Sequence, residues 1–320
     1  MEKPPLRLIM LGNGPFAVPT FRRLCETGRN VLALVTRPPK GKSREPASRS
    51  LLEPIAHQHG TPVLSPTDIN ATDALATLAG LAPDLLVVCD YGQILSKNAL
   101  AAARLGGVNL HASLLPRYRG AAPINWAIHD GLTETGVTVL HMDARIDAGP
   151  CLAQERVAID PDETAVELEA RLAEIGSELI LRTIDDLAAG RARPIPQDPA
   201  LASRAPRLKK TDGLIDWSRP AIAIKNQVRA MEPWPKTYTY WHRKGGPPLR
   251  LILGRVQPMP HALNQPPGTV IEAQGDRLLI GTASGTLAIE TLQPSGKRLL
   301  TTAEFLRGYP VRPGDLFGSE

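Results

Sequence analysis

Five runs of almost unbroken apolar residues recur through the first half of the chain: LRLIMLG (6–12), NVLALVT (30–36), DLLVVCD (84–90), GGVNLHA (106–112) and TGVTVLHM (135–142). A strand with one wet face alternates polar and apolar residues; a strand covered on both faces does not. These runs therefore predict strands buried between two layers, as in a parallel sheet. PTFRRLCETG, SLLEPIAHQHG and SKNALAAARLG stand between them as helices, each ending at a Gly that can take the left-handed cap. The alternation predicts an α/β fold, a doubly wound and mostly parallel sheet.

A long amphipathic helix is expected over 163–189, where apolar residues from Val166 to Leu187 recur at helical spacing. RARPIPQDPALASRAPRLKKTDG (191–213) then reads as a linker crossing the surface. Beyond a short helix near 222–230, short runs broken by Gly predict a small β-barrel. The texture breaks near residue 205, and 320 residues suit two domains. The expected division is 1–190 for an α/β domain, 191–210 for the basic, Pro-rich linker and 211–320 for the barrel.

The net charge of +5 tilts the chain toward a polyanionic partner. Only 4 % of residues are aromatic, so nucleic acid would be held through phosphates and shape rather than stacking. Cys25, Cys89 and Cys151 are odd in number and form no CxxC pair, which argues against a disulfide framework and against zinc. No run approaches the roughly 20 apolar residues of a membrane span, and MEKPPLRLIMLGNG lacks the form of a signal peptide. A reducing cytoplasm, no membrane and a monomer are the expectations.

Three motifs bear on chemistry. Gly12, Gly14 and Ala17 in LGNGPFA match a dinucleotide-binding fingerprint. Pro15 and Pro19 disturb the helix start it needs, and no acidic residue follows the second strand to hold a ribose. A tight turn of small residues is the preferred reading. Asn109 and His111 lie two residues apart in the fourth apolar run, so they share one strand face. In open α/β sheets, ligands bind outside the carboxyl ends of the strands. A capping Asn and a satisfied core His is the bland alternative. MDARIDAGP (142–150) supplies Asp143 and Asp147 after the next strand. Asp147 is the chosen partner for His111, while Asp143 suits a cap. Asn, His and Asp at strand ends suit acyl-type transfer, with Asn and His stabilising an oxyanion and His and Asp moving protons. No Gly-x-Ser-x-Gly elbow supports a covalent acyl-enzyme.

NLHASLLPRYRGAAPINWAI followed by TGVTVLHMDARIDAGP resembles the signature of the folate-dependent formyltransferases. RGAAPINWA is closer to the branch acting on methionyl-tRNA than to those acting on glycinamide ribonucleotide or nucleotide sugars. GLIDWSRPAIAIKNQVRAMEPWP and LQPSGKRLLTTAEFLRGY extend the resemblance into the second half. It implies a Rossmann-like catalytic domain, 10-formyltetrahydrofolate as co-substrate without a metal, and initiator methionyl-tRNA as acceptor and partner. By position it makes Asn109, His111 and Asp147 the catalytic trio, and Ser113, Leu114, Leu115 and Pro116 the tetrahydrofolate-binding segment. Two departures stand out. GNGPFA replaces a Thr-Pro-Asp turn after the first Gly, and Cys89-Asp90 replaces small residues near the expected pterin pocket, which makes Asp90 a co-substrate candidate.

The first long loop, TRPPKGKSREPASRS, also departs from the family's pattern. It still carries Arg37, Lys40, Lys42, Arg44 and Arg49 against Glu45 alone, and the linker adds Arg204, Arg207, Lys209 and Lys210. Such clusters suit tRNA phosphates, with a solvated loop as the bland alternative. Two rival functions remain at this point. One is formyl transfer to a nucleotide-linked amino sugar; the other is an NADP-dependent oxidoreductase or a non-catalytic folate-binding module.

Overall fold

The computed structural model describes residues 4–38, 50–243, 246–259 and 265–320. Lys40, Lys42, Arg44 and Arg49 lie outside the described residues. The chain folds as two compact units: one of residues 1–123, 134–158 and 167–206, the other of 124–133, 159–166 and 207–320.

The first unit begins with β1 (Arg7–Gly12), α1 (Val18–Glu26), β2 (Asn30–Val35), α2 (Glu53–Gln58), β3 (Val63–Leu64), α3 (Thr72–Gly80), β4 (Leu85–Cys89), α4 (Lys97–Ala101), β5 (Gly107–His111) and β6 (Arg119–Gly120). After α5 (Pro123–His129) come β7 (Glu134–His141), β8 (Cys151–Ala158), α6 (Ala165–Ala189) and β9 (Arg204–Ala205). Seven strands form one sheet in the order β3-β2-β1-β4-β5-β7-β8. The first five are parallel, as the unbroken apolar runs predict. β7 is equally apolar yet pairs antiparallel with β5 and β8. An all-apolar strand reports that both faces are covered, not which way it runs. β8 escapes an apolar-run reading because, at the sheet's edge, most of its residues are only half-buried or exposed.

Leu8–Leu11 of β1 and Leu85–Val88 of β4 form the centre of the core. The long helix α6 packs against β5 at Gly176, where a Cβ would stand 2.8 Å from a Leu110 methyl. Leu168, Leu172 and Ile184 are buried, as the amphipathic pattern requires, whereas Val166 is exposed. Arg23 of α1 pairs with Glu174 and Glu178 of α6 at 3.3 and 3.1 Å.

The stretch expected to cross the surface as a linker is mostly exposed, but its residues up to 206 belong to the first unit and are paired into it. Ile195 exchanges two main-chain hydrogen bonds with Cys151, each 2.8 Å. β9 pairs parallel with β6, and Ala205 is fully buried. A segment rich in Pro and charge can still pair as a short edge strand, which composition alone does not reveal.

The second unit contains α7 (Ala221–Ala230), β10 (Thr237–His242), β11 (Leu249–Leu253), β12 (Val256–Met259), β13 (Val270–Gln274), β14 (Arg277–Gly281), β15 (Thr286–Ile289), β16 (Thr291–Pro294), β17 (Leu300–Thr301), α8 (Thr302–Gly308) and β18 (Leu316–Gly318). Two antiparallel sheets, β17-β16-β11-β10-β18 and β12-β15-β14-β13, make a small barrel-like body. Trp217, Ile224, Trp241, Leu278, Leu287 and Phe305 fill it. Two short segments from the first half cluster here because side chains hold them. Arg229 donates to the carbonyls of Asp160 and Glu163, both at 3.2 Å, and Asn125 donates to the carbonyl of Ala230 at 2.7 Å. Among the described residues, no helix is long and apolar enough to cross a membrane.

Candidate active site

The parallel register sets Gly12 beside Cys89 and Val88 beside Asn109. The carboxyl ends of β1, β4 and β5 therefore lie side by side, where open α/β sheets place ligands. Asn109 is half-buried and His111 is buried on β5.

Asp147 follows β7, after the strand as the sequence places it. It sits in the loop between β7 and β8, with its backbone in the left-handed region at φ +50°. One carboxylate oxygen accepts a hydrogen bond from Asn109 Nδ2 at 3.4 Å. The other accepts the main-chain N–H of Gly120 at 2.9 Å and lies 3.6 Å from His111 Nδ1. That last distance is an ion-pair contact, longer than a formed hydrogen bond. The structure brings Asn109, His111 and Asp147 together.

His111 Nε2 lies 2.9 Å from the carbonyl oxygen of Tyr118. A carbonyl only accepts, so Nε2 carries the proton. Both ring nitrogens then face oxygen atoms, Nε2 the Tyr118 carbonyl and Nδ1 the Asp147 carboxylate. Tyr118 presents that carbonyl from a left-handed backbone at φ +59°, its own N–H donating to Ser203 Oγ at 2.9 Å. Two non-glycine residues in this costly region, both aimed at one histidine and its partner, mark the site as held by its surroundings.

The holding groups are residues that sequence reasoning missed. Gln197 Nε2 donates to the carbonyls of Asp147 at 2.9 Å and Gly149 at 2.7 Å. Arg119 grips the Gln197 side-chain oxygen through Nε and Nη2 at 3.1 and 2.7 Å. Two glycines permit the close approach. A Cβ on Gly149 would stand 1.8 Å from the His141 carbonyl, and one on Gly120, at φ +125°, would stand 2.5 Å from that of Ala205. The Gly149-Pro150 pair was the one signal of this turn in the sequence.

Ser113 to Pro116 form the turn after β5. Ser113 is fully buried and donates to the Arg117 carbonyl at 2.7 Å. Thr138 of β7 donates to the Ser113 carbonyl at 2.6 Å and accepts the Leu115 N–H at 3.1 Å. Leu115 is buried, while Leu114 and Pro116 are half-exposed. Asp143 caps its own turn and pairs with Arg145 at 2.9 Å.

Asp90 follows β4 with φ +47°. It is exposed to solvent, yet desolvation by the surrounding atoms raises its pKa to about 6, offset in part by Arg37. One carboxylate oxygen lies only 1.7 Å from where a Cβ on Gly14 would stand. Gly14 is thus the small residue that makes room for Asp90, in keeping with the tight-turn reading of LGNGPFA. Glu169 of α6 is raised to about 7 by burial and by the Asp90 charge. Burial, with the Asp90 charge behind it, pushes the Cys89 thiol up, so it is no nucleophile. Arg37 lies against Gly92, its Nη1 3.1 Å from a Cβ position there. Lys209 and Lys210 are exposed in the second unit.

Residues 6–184 match the family model described as formyl transferase, and residues 207–310 match that of the formyl transferase C-terminal domain. The chain belongs to the formyl transferase family. It is 43 % identical over 318 residues to a methionyl-tRNA formyltransferase of Citrifermentans bemidjiense, covering 98 % of this chain and 97 % of that one. It is 44 % identical over 322 residues to a methionyl-tRNA formyltransferase of Rhodopirellula baltica, covering 97 % and 96 %. Among solved structures, an N-formyltransferase of Helicobacter canadensis in complex with folinic acid and dTDP-3-aminofucose shares the fold. Its TM-score is 0.67 at 17 % identity, over 89 % of this chain and 98 % of that one. HypX of Aquifex aeolicus in complex with tetrahydrofolic acid does so at TM-score 0.61 and 18 % identity, over 98 % of this chain and 51 % of that one.

Proposed function

We propose that the chain transfers the formyl group of 10-formyltetrahydrofolate to the α-amine of methionine esterified to initiator tRNA, a step that supports translation initiation. The observation that carries this reading is the Asn109–His111–Asp147 cluster at the carboxyl end of β5. The full-length likeness to methionyl-tRNA formyltransferases supports the acceptor.

The neutral amine nitrogen attacks the formyl carbon, and the carbonyl electron pair moves onto oxygen. Asn109 has a second amide N–H to offer that oxygen. The Tyr118 carbonyl anchors Nε2–H of His111, which leaves Nδ1–H, loosely held at 3.6 Å from Asp147, as the working donor. Two N–H groups aimed at one developing charge supply oxyanion stabilisation. Asp147 takes the amine proton, directly or through a water. The bond from the formyl carbon to N10 then breaks, and a proton goes to N10 of tetrahydrofolate.

The Ser113–Pro116 turn and Asp90 border the co-substrate, while Arg37, Lys40, Lys42, Arg44, Lys209 and Lys210 take tRNA phosphates. The enzyme works as a monomer in the cytoplasm and needs no metal. Replacing Asn109 or His111 by Ala, with formylmethionyl-tRNA formation as readout, tests the reading: near-normal turnover in both variants would remove the site from the chemistry.

A further inference from the structure

The chain holds four Trp and five Tyr, and two of each lie between residues 234 and 241. Trp241 is buried in the second unit's core, as Trp217 is, whereas Trp234 is 49 % exposed. Such a costly surface residue stands between Pro233 and Pro235, whose rings fix their own backbone and stiffen the loop. That loop is pinned. Lys236 N–H donates to the Met231 carbonyl at 2.9 Å, and a Cβ on Gly213 would stand 2.1 Å from the Lys236 carbonyl. The pin sets the Trp234 loop against the turn over 210–213, at whose start Lys209 and Lys210 are exposed.

β10 continues directly from this loop. Thr237, Thr239 and Trp241 point into the core, and Tyr238 and Tyr240 point out. The Arg250 guanidinium lies 4.0 Å above the Tyr238 ring, and Tyr238 meets Tyr240 edge to face at 6.0 Å. Aromatic rings at a surface, with a stacked guanidinium and flanking lysines, are the pieces from which proteins build single-stranded nucleic-acid sites.

We propose that Trp234 and the Arg250-capped Tyr238, with Lys209 and Lys210 at the turn packed against the loop, form a stacking platform for unpaired nucleotides of the tRNA. The inference rests on the proposed function for its ligand. It departs from the expectation that contact runs through phosphates and shape alone: the aromatic residues are few, but they are concentrated here.

Two measurements test it. In steady-state kinetics, Trp234→Ala raises KM for methionyl-tRNA by about 5- to 100-fold, the range that one lost base–aromatic stack implies. Its kcat and the co-substrate KM stay unchanged, and Trp234→Phe stays within a few-fold of the natural protein. In fluorescence titration, a single-stranded RNA oligonucleotide quenches the natural protein, the quench is absent from Trp234→Phe, and a blunt duplex of equal length produces little. A tRNA KM within twofold of normal in Trp234→Ala would overturn the platform. So would equal quenching by duplex and single strand. If the natural protein makes no formylmethionyl-tRNA, the functional reading fails on its own, while the oligonucleotide quench still judges the platform.

Discussion

The main-chain carbonyl of Asp147 accepts a 2.9 Å hydrogen bond from the side chain of Gln197, fifty residues away. The same amide nitrogen reaches Gly149 at 2.7 Å, and Arg119 fixes its oxygen. A residue in a Pro-rich stretch therefore holds the left-handed turn that aims the Asp147 carboxylate at Asn109 and His111. Gln197→Ala should lower kcat with little change in either KM. In an Asp147→Asn background, the same change should cost much less, because coupled groups are non-additive. Gln197→Glu should not rescue, since a carboxylate cannot donate to two carbonyls. Full additivity of the two substitutions in kcat would place Gln197 outside the site.

Gly149 tests the turn itself. Gly149→Ala drives a methyl to within 1.8 Å of the His141 carbonyl, so the loop must move. Unfolding in urea should show a loss of about 1–3 kcal/mol, the usual cost of forcing atoms into packed structure. Activity should fall further than stability does, because the loop carries Asp147. An unchanged urea midpoint with full activity would show that the turn is not tightly held.

Asp90 and Glu169 give the fold a pH signature. The folded pKa of Asp90 is raised from 3.8 to about 6, and that of Glu169 from 4.5 to about 7. The fold thus prefers their protonated forms. That preference is fully present below the unfolded values and is lost as pH rises through the folded ones. Arg37 opposes the shift of Asp90, and Glu169 feels the Asp90 charge. Asp90→Asn should therefore melt above the natural protein at pH 7.5, with the gap closing toward pH 4. A gap that widens on acidification would reverse the sign and refute desolvation of these two carboxyls as its cause.

Asn109→Ala and His111→Ala should each cost roughly 10²-fold or more in rate, the usual loss for an oxyanion donor or a proton-transfer group. Single-turnover rates at saturating tRNA separate this loss from weaker binding.

The parts of this molecule that were legible in the sequence are those governed by local patterning. The five apolar runs became β1, β2, β4, β5 and β7, and the shared face of Asn109 and His111 follows from strand periodicity alone. Three features were hidden for physical reasons. Strand direction at β7 is set by the path of its neighbours, not by its own residues. Asp147 is aimed from a loop, where no periodicity reports orientation. Gln197 acts through contacts some fifty residues away in sequence, inside a stretch whose composition reads as solvent-exposed. The grouping of 124–133 and 159–166 with the second unit is likewise a long-range matter, decided by Asn125 and Arg229.

Salt discriminates the acceptors. A tRNA held through many phosphates should show a KM that climbs steeply with salt; a sugar nucleotide offers few phosphates and a shallow slope.

The most direct measurement mixes the purified protein with 10-formyltetrahydrofolate and charged initiator tRNA, with uncharged tRNA and a nucleotide-linked amino sugar in parallel. Formylmethionyl-tRNA is expected in the first reaction, no formylated product in the other two, and loss of the product in Asn109→Ala. Formyl transfer to the sugar with none to the charged tRNA would contradict the proposed function.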